Sequence, residues 1–258
     1  MVAVGAALLL VGVILWAESV ITMTWQEPLS WFSAHKDQQA LERKLEKAEA
    51  LALADPLISA ARSRSGERHR IAKVAQRLDS RIRPGEPLGR LSIPKIGARF
   101  VFVAGTGEKS LKKGPGHYRG TVLPGQRGTV GIAGHRTTYL APFRRLDRLH
   151  KRDVVLLKMP YGRFRYRVQR SIVVSPSNAS SLGPARHDRL VLTTCTPLFS
   201  AAKRLIVIGR LVSSTPTSAR LARANRRTRG RHHRAARSRR SSVRQHRQHR
   251  RSHQRRSH

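Results

Sequence analysis

The sequence predicts a mainly all-β domain over residues 84–213. Short runs of β-branched, aliphatic and aromatic residues recur there, separated by glycine and proline, and helical periodicity is weak. In one run Phe164, Tyr166 and Val168 alternate with arginines, as a strand with one face buried and the other in water requires. Seven or eight short strands in a stretch of this length favour a closed β-barrel or a β-sandwich, and the domain is large enough to bury its own core.

A transmembrane anchor is predicted at residues 1–25. Val2–Ala17 has no charged side chain, and after Glu18 the apolar character continues to Trp25. A membrane-crossing helix needs about 20 apolar residues, and tryptophans suit the two membrane interfaces. A cleaved signal peptide is the alternative, although neither a basic start nor a small-residue cleavage site is evident.

The charges on either side of this segment predict its orientation in the membrane. Basic residues follow the segment, and none precedes it. By the positive-inside rule, this pattern favours a cytoplasmic C-terminus. If the start methionine is misplaced and a basic segment lies upstream of it, the charges would no longer favour this orientation. The sequence leaves both possibilities open.

Residues 26–83 are interpreted as a membrane-proximal stalk that is partly helical. An amphipathic helix is predicted over Asp37–Ala54, ending before Pro56. Its apolar residues at helical spacing are Leu41, Leu45, Ala48 and Ala52. Ser59–Arg83 is rich in arginine, serine and alanine and has a poor apolar stripe. The alternative is that the helix packs on the folded domain.

The strands of the β domain are predicted from the apolar runs between its turns. They are Leu88–Ile93, Arg99–Val103, Thr129–Ala133, Asp153–Lys158, Arg163–Val174, Arg189–Cys195 and Leu205–Val212. No internal repeat is evident among them. The domain is therefore expected to fold as one unit.

The C-terminal tail, residues 214–258, is predicted to be disordered. From Arg220 onwards it has 16 arginines and no acidic residue, and the whole chain has a net charge of +38. With hardly an apolar side chain, the tail cannot bury enough surface to offset the entropy of ordering. Such charge attracts polyanions or anionic membrane surfaces. Nucleic acid is disfavoured as the partner, because no aromatic residues interleave with the arginines to stack bases.

Cys195 is the single cysteine of the chain, at the end of a predicted strand. One thiol excludes an intramolecular disulfide and a zinc site built from cysteine clusters. Because a nearby cation favours the thiolate, Arg204 at the start of the next strand makes Cys195 a candidate nucleophile. A buried structural cysteine is the alternative. The acid-poor domain shows no acidic cluster for calcium, and neither a metal nor a cofactor is expected.

His135 follows Gly134 at the end of another predicted strand. Taken alone, it is better explained as an ordinary surface or hydrogen-bonded histidine. Together with the cysteine and the arginine it matches acyl-transfer chemistry: a thiolate attacks a carbonyl carbon, an imidazole moves protons near neutral pH, and a guanidinium stabilises the oxyanion. Asn178 and Asp188 are candidates for a third member by residue type only.

The motif Leu192-Thr-Thr-Cys195, with Arg204 nine positions later and Ala133-Gly-His135-Arg upstream, resembles the sortases. These are cysteine transpeptidases on the outer face of Gram-positive cell membranes. Gly114-Pro-Gly-His-Tyr118 and Gly134-His-Arg-Thr-Thr-Tyr-Leu-Ala-Pro-Phe143 are most similar to class E sortases of actinobacteria and their relatives.

This resemblance implies an eight-stranded β-barrel and a division of roles. Cys195 would attack the Thr–Gly bond of a sorting signal and form a thioacyl intermediate. His135 would act as general acid and then as general base, and Arg204 would hold the substrate and the oxyanion. Tyr118 is linked by the resemblance to a preference for a Leu-Ala-x-Thr-Gly signal, and Thr194 would line the same groove.

The resemblance also implies partners and location. The protein would be a single-pass cell-membrane protein with its catalytic domain outside the cytoplasm. It would act on secreted proteins with C-terminal sorting signals and on a peptidoglycan-type amine. The tail would then meet anionic wall polymers or lipid headgroups, or would be solvated without a partner.

Two other functions stay open at this point. One is a membrane-tethered polyanion-binding protein whose barrel is not catalytic. The other is a sortase that polymerises pilins, which needs a lysine nucleophile from a partner protein. The sequence does not show the acceptor amine that would distinguish this second function.

Overall fold

The computed structural model describes residues 4–5, 9–13, 28–54 and 64–217. The helices are α1 (Pro28–Ala54), α2 (Arg64–Arg81) and the short α3 (Glu108–Leu111). The strands are β1 (Pro87–Ile93), β2 (Ala98–Ala104), β3 (Gly116–His117), β4 (Thr129–Ala133), β5 (Val154–Met159), β6 (Gly162–Val174), β7 (Arg189–Thr196) and β8 (Lys203–Pro216). Single 3-10 turns lie at Pro94–Ile96, Leu146–Arg148 and Ser180–Leu182.

The eight strands close into a barrel in the order β1-β2-β3-β4-β7-β8-β6-β5. The pairs β2–β3 and β4–β7 are parallel, and the other six pairs are antiparallel. Of the two architectures predicted from the sequence, the structure is therefore the barrel. Closure gives every strand a paired neighbour on both sides, although β2 pairs with the short β3 only at Val103 and Ala104.

All seven predicted strands are confirmed, six of them with boundaries that differ slightly. β3 was not predicted, because two residues are too few to show an alternating pattern. β8 continues past the predicted end of the domain to Pro216, since its long antiparallel pairing with β6 extends to Gly162. The alternation expected in β6 is present, with Phe164, Tyr166 and Val168 buried and the arginines between them exposed.

Near its middle, strand β7 has buried apolar side chains on both of its faces. Leu190 and Leu192 belong to the main core inside the barrel. Val191, between them, packs on the outer face with Ile206 and Ile208 of β8. Because successive side chains of a strand point to opposite faces, the residues that follow in β7 continue this alternation toward the rim of the barrel.

Helix α1 packs on the outside of the barrel. Leu41 and Leu45 form a buried cluster with Val101 and Val103 of β2. The side-chain amide of Gln38 donates to the Val101 carbonyl (2.9 Å), and its side-chain oxygen accepts from the Val101 N–H (2.8 Å). This helix begins at Pro28, nine residues earlier than predicted.

Charged and apolar contacts also join the helices to the barrel. Glu49 of α1 pairs with Lys158 of β5 (2.9 Å) and with Arg90 of β1. From α2, Ile71 and Ala75 enter the main core. Of the two arrangements considered for residues 26–83, the structure shows the helices packed on the folded domain.

The predicted membrane anchor lies mostly outside the described residues, of which only 4–5 and 9–13 fall within it. None of the helices in the described part of the chain is long and apolar enough to span a membrane. The predicted disordered tail lies outside the described residues from Ser218 onwards.

Candidate active site

Three neighbouring strands bring the three predicted catalytic residues to the same end of the barrel. In the antiparallel pair β7–β8, Cys195 is the register partner of Arg204. In the parallel pair β4–β7, Ala133 is the partner of Thr193. Cys195 is two residues further along β7, and His135 is two residues after Ala133, just past the end of β4. Because the side-chain period of a strand is two, Cys195 continues the face that carries Thr193.

Gly134 leaves room for an aromatic side chain directly beside the histidine. A Cβ atom at Gly134 would lie 2.6 Å from Cδ2 of Phe143, which is fully buried. The Phe143 N–H donates to the His135 carbonyl (3.0 Å), so the loop between them closes back on the histidine. Close packing against the Phe143 ring therefore requires a glycine at position 134.

The loop after the histidine has an unusual backbone conformation. Tyr139, Leu140 and Ala141 have φ angles of 49°, 64° and 40°. Non-glycine residues in this left-handed region are strained by about 1–3 kcal/mol each and are held there by their surroundings. The conformation places the Tyr139 ring against the His135 imidazole, with centroids 5.1 Å apart.

The surroundings of His135 favour its neutral form. Burial lowers the pKa of the imidazole, and the positive charge of Lys112 lowers that pKa further. Its Nε2 atom is buried and makes no hydrogen bond to any residue in the described ranges. A neutral imidazole is the form that can act as a proton acceptor, and none of the described residues occupies its Nε2 atom.

Cys195 is a free, half-buried thiol, so it is not the fully buried structural cysteine considered as an alternative. The guanidinium of Arg204 lies against the turn that precedes β8. One of its terminal nitrogens donates to the carbonyls of Ala201 (3.0 Å) and Lys203 (3.2 Å). These bonds hold the charged guanidinium of Arg204 next to the position on β8 that pairs with Cys195.

Of the two residues implied in substrate binding, one shares the face of the cysteine. The hydroxyl groups of Tyr118 and Thr193 are hydrogen-bonded (2.8 Å), on the face that Cys195 continues. Thr194 is only 3% exposed, and its hydroxyl donates to the Gly134 carbonyl (2.8 Å). Thr193 is 5% exposed and lies on the face that Cys195 continues, whereas Thr194 lies on the other face of β7.

Neither residue considered as a third catalytic member is placed for that role. Asn178 accepts hydrogen bonds from the Ser180 N–H (3.1 Å) and hydroxyl (2.6 Å) within a turn. Asp188 precedes β7, at the opposite end of the strand from Cys195. Among the described residues, no group of three or more His, Cys, Asp or Glu side chains is arranged to hold a metal ion.

The sequence analysis assigned no role to Arg136, which the structure places at the site. Its guanidinium donates to the Thr196 hydroxyl (2.7 Å) and pairs with Asp147 (3.1 Å). The available signal was its position directly after the histidine in the Gly-His-Arg motif. An arginine in a highly basic chain does not stand out by composition, so the pairing could be seen only in the fold.

Known proteins are similar to this chain over the region that forms the barrel. A family model for the sortase domain matches residues 91–212. Sortase D of Bacillus subtilis is 33% identical over 154 residues, which span 58% of this chain and 76% of that protein. Sortase SrtE1 of Streptomyces coelicolor is 35% identical over 153 residues, spanning 52% of this chain and 43% of that protein.

A crystal structure of Sortase E1 from Streptomyces coelicolor, with a tripeptide in its active site, is 34% identical to the chain. The superposition covers 53% of this chain and 94% of that one, with a TM-score of 0.49. The sequence similarity to Sortase D extends over three quarters of that protein. The chain belongs to the sortase family, whose members are cysteine transpeptidases.

Proposed function

We propose that this chain is a membrane-anchored class E-type sortase. It would cleave a Leu-Ala/Pro-x-Thr-Gly sorting signal between Thr and Gly and transfer the protein to a cell-wall amine. The observation that carries the proposal is the convergence of Cys195, His135 and Arg204 at the ends of β7, β4 and β8. Class E is favoured by the motif around Tyr118 and by the similarity to SrtE1.

In the first half of the proposed reaction, the imidazole of His135 takes the thiol proton of Cys195. The thiolate attacks the threonine carbonyl carbon, and the Arg204 guanidinium donates to the oxyanion that forms. Collapse of this intermediate breaks the Thr–Gly bond. His135 delivers the proton to the departing glycine amine, which leaves a thioacyl enzyme.

In the second half, the wall amine attacks the thioacyl carbon and His135 accepts a proton from it. The new amide bond forms as the Cys195 thiolate departs. The thiolate then recovers its proton from the imidazolium, which restores the starting state. The half-buried thiol and the unpaired Nε2 support this cycle, because both halves use the same two side chains.

For substrate recognition we propose the pair Tyr118 and Thr193 in place of Tyr118 and Thr194. The two hydroxyl groups are already hydrogen-bonded on the outer face beside the cysteine. A glycine is required next to them, because a Cβ at Gly131 would lie 2.8 Å from Cδ2 of Leu182 and 3.1 Å from Cδ2 of Tyr118. This packing presents the phenol ring at one fixed position to the residue before x in the signal.

The proposed location is the cell membrane, with residues 1–25 as a single-pass anchor and the catalytic domain outside the cytoplasm. The partners would be secreted proteins with C-terminal sorting signals and a peptidoglycan-type amine. The arginine-rich tail would bind anionic wall polymers or lipid headgroups by charge, and salt would release it. These proposals rest on the sequence pattern and on the resemblance to the family.

The test uses the full-length chain, because α1 and α2 contribute to the buried core. The enzyme is incubated with a Leu-Ala-x-Thr-Gly peptide and a glycine-type amine, and mass spectrometry follows Cys195. We expect cleavage after threonine, a thioacyl adduct on Cys195 and the amide product. Cys195→Ala is expected to give none of them while keeping its thermal unfolding temperature.

The same assay separates the competing functions. Replacing the glycine-type amine by a lysine-containing peptide tests pilin-type polymerisation. A folded enzyme that gives no adduct with Leu-Ala-x-Thr-Gly or Leu-Pro-x-Thr-Gly, but binds polyanions in a salt-sensitive way, would support the non-catalytic binding protein instead.

A further inference from the structure

We propose that Arg136 is a positioning residue of this enzyme, which keeps the cysteine and the histidine in one relative placement. The proposal rests on the transpeptidase function proposed above. Arg136 directly follows His135 along the chain, and Thr196 directly follows Cys195. The guanidinium of Arg136 donates to the Thr196 hydroxyl over 2.7 Å, so the residues after the two reactive ones are bonded to each other.

This bond continues the connection between β4 and β7 where their backbone ladder stops. The last backbone bond between these segments runs from the Gly134 N–H to the Thr193 carbonyl (3.1 Å). His135 comes next on one side. On the other side Thr194 comes first, with its hydroxyl donating to the Gly134 carbonyl (2.8 Å), and Cys195 follows it. The Arg136–Thr196 bond comes after both reactive residues. The reactive pair is therefore held between a backbone bond on one side and a side-chain bond on the other.

The burial of Arg136 shows that this contact is a specific part of the fold. Its side chain is 6% exposed, and among Lys, Arg, Asp and Glu it is the single buried side chain in the described residues. A buried guanidinium is unfavourable unless its charge and its N–H groups are satisfied. The chain has 52 lysines and arginines, and the burial of Arg136 indicates that the fold requires an arginine at this position.

The remaining donors of the guanidinium reach two further segments. One terminal nitrogen pairs with the Asp147 carboxylate (3.1 Å), in the 3-10 turn at Leu146–Arg148. Longer contacts go to the carbonyls of Arg144 (3.4 Å) and Cys195 (3.5 Å). Asp147 is half-exposed, so we infer that it orients the guanidinium from the solvent side.

Lysine should not replace this arginine. A guanidinium is a planar fork whose donors can reach the Thr196 hydroxyl and the Asp147 carboxylate at the same time in fixed directions. An ammonium group carries the same charge at a single point. Arg136→Lys therefore keeps the charge near Cys195 and removes the geometry, which makes it the diagnostic substitution.

The experiment compares the full-length wild type with Arg136→Lys and Thr196→Val, and with Arg145→Lys as the matched control. Arg145 lies in the same loop with its side chain exposed. For Arg136→Lys we expect kcat for peptide cleavage to fall about 10- to 100-fold, because small displacements of reacting groups have effects of that size. KM should stay within about twofold, since the substitution leaves the peptide-binding face intact. Thr196→Val should show the same pattern more weakly, and Arg145→Lys should match the wild type.

A second measurement needs no peptide and is independent of the proposed function. The rate of Cys195 alkylation by iodoacetamide is followed against pH. We expect the wild-type profile to contain a step from His135 that His135→Ala abolishes, and Arg136→Lys to weaken that step. If the wild type forms no thioacyl adduct, the proposed function fails while this profile still tests the positioning role.

Two results with the Arg136→Lys variant would overturn the proposal. One is an Arg136→Lys enzyme with wild-type kcat and a wild-type alkylation profile. The other is a loss of kcat that matches the unfolded fraction measured by circular dichroism, which would make Arg136 a stabilising residue only. An alkylation profile without any His135 step in the wild type would also count against it, because there would be no coupled pair to position.

Discussion

At the scale of single residues, the roles at this site depend on which face of a strand a side chain occupies. Cys195 and Thr193 share a face, while Thr194 between them is buried and bonded to Gly134. Thr193 is itself 5% exposed, so the strand face, and not the exposure, distinguishes the two threonines. Arg204 and Gly134 provide the sharpest tests at this scale.

Arg204→Ala is expected to lower kcat by about 100- to 1,000-fold, because the oxyanion loses a fixed charged donor. Peptide cleavage kinetics measure this loss. Arg210→Ala is the matched control, since this exposed arginine lies on the same strand, six residues away from Arg204. Equal activities of the two variants would exclude the oxyanion role for Arg204.

Gly134→Ala is expected to destabilise the fold by about 1–3 kcal/mol, because the added methyl group overlaps the buried ring of Phe143. Activity should fall as well, since the displaced ring adjoins the His135 loop. Chemical unfolding and peptide cleavage measure the two effects. Gly107→Ala is the control, because nothing lies within 4 Å of a Cβ at that position. Similar unfolding free energies for both variants would contradict the packing explanation.

At the scale of elements, the helices before the barrel behave as part of the folded domain. Leu45 of α1 is fully buried against β2, whereas Leu51 of the same helix is 74% exposed. The described residues of the predicted membrane-proximal stalk therefore form helices that pack on the barrel. A fragment that begins at residue 84 would expose this apolar surface.

Leu45→Ala is expected to reduce the free energy of unfolding by about 2–4 kcal/mol, through lost burial and the cavity left behind. Leu51→Ala, the same change on the exposed side of the helix, should alter it by less than about 0.5 kcal/mol. Urea unfolding of the full-length chain gives both values. An effect at Leu45 as small as that at Leu51 would mean that α1 does not pack on the barrel in solution.

At the scale of the whole molecule, the buried His117 and the half-buried His135 make folding stability depend on pH. Burial is the main cause that lowers the pKa of His117 and of His135 below their ordinary value of 6.5. The unfolded chain therefore binds protons that the folded chain does not. This contribution to stability is fully present above the unfolded pKa and is lost as pH falls from there through the folded pKa.

Stability is accordingly expected to fall between pH 7.5 and pH 5.5, and the His117→Gln variant should fall less steeply. A glutamine amide can replace the ring N–H that donates to the Val122 carbonyl (3.1 Å), but it cannot be protonated in this range. Urea unfolding at both pH values gives the slope. Parallel slopes for the two proteins would show that His117 does not contribute.

Much of this molecule could be predicted from local patterns. The alternation in β6 and the apolar runs of β4 and β7 predicted strands that the structure confirms, because periodicity depends only on neighbouring residues. The predicted catalytic residues also lie at strand ends, as expected. β3 was missed because it has two residues, and the packing of α1 was left open because an amphipathic face does not identify its partner.

The sequence by itself therefore determined the all-β class, the strand positions and the set of reactive residue types, since each depends on local chemistry. Tertiary structure decided the choice of barrel over sandwich, the face of Thr193 against Thr194, and the pairing of Arg136 with Thr196 and Asp147. These features depend on which strands become neighbours and in what register. Strand pairing joins residues about 60 positions apart, and no local pattern specifies that choice.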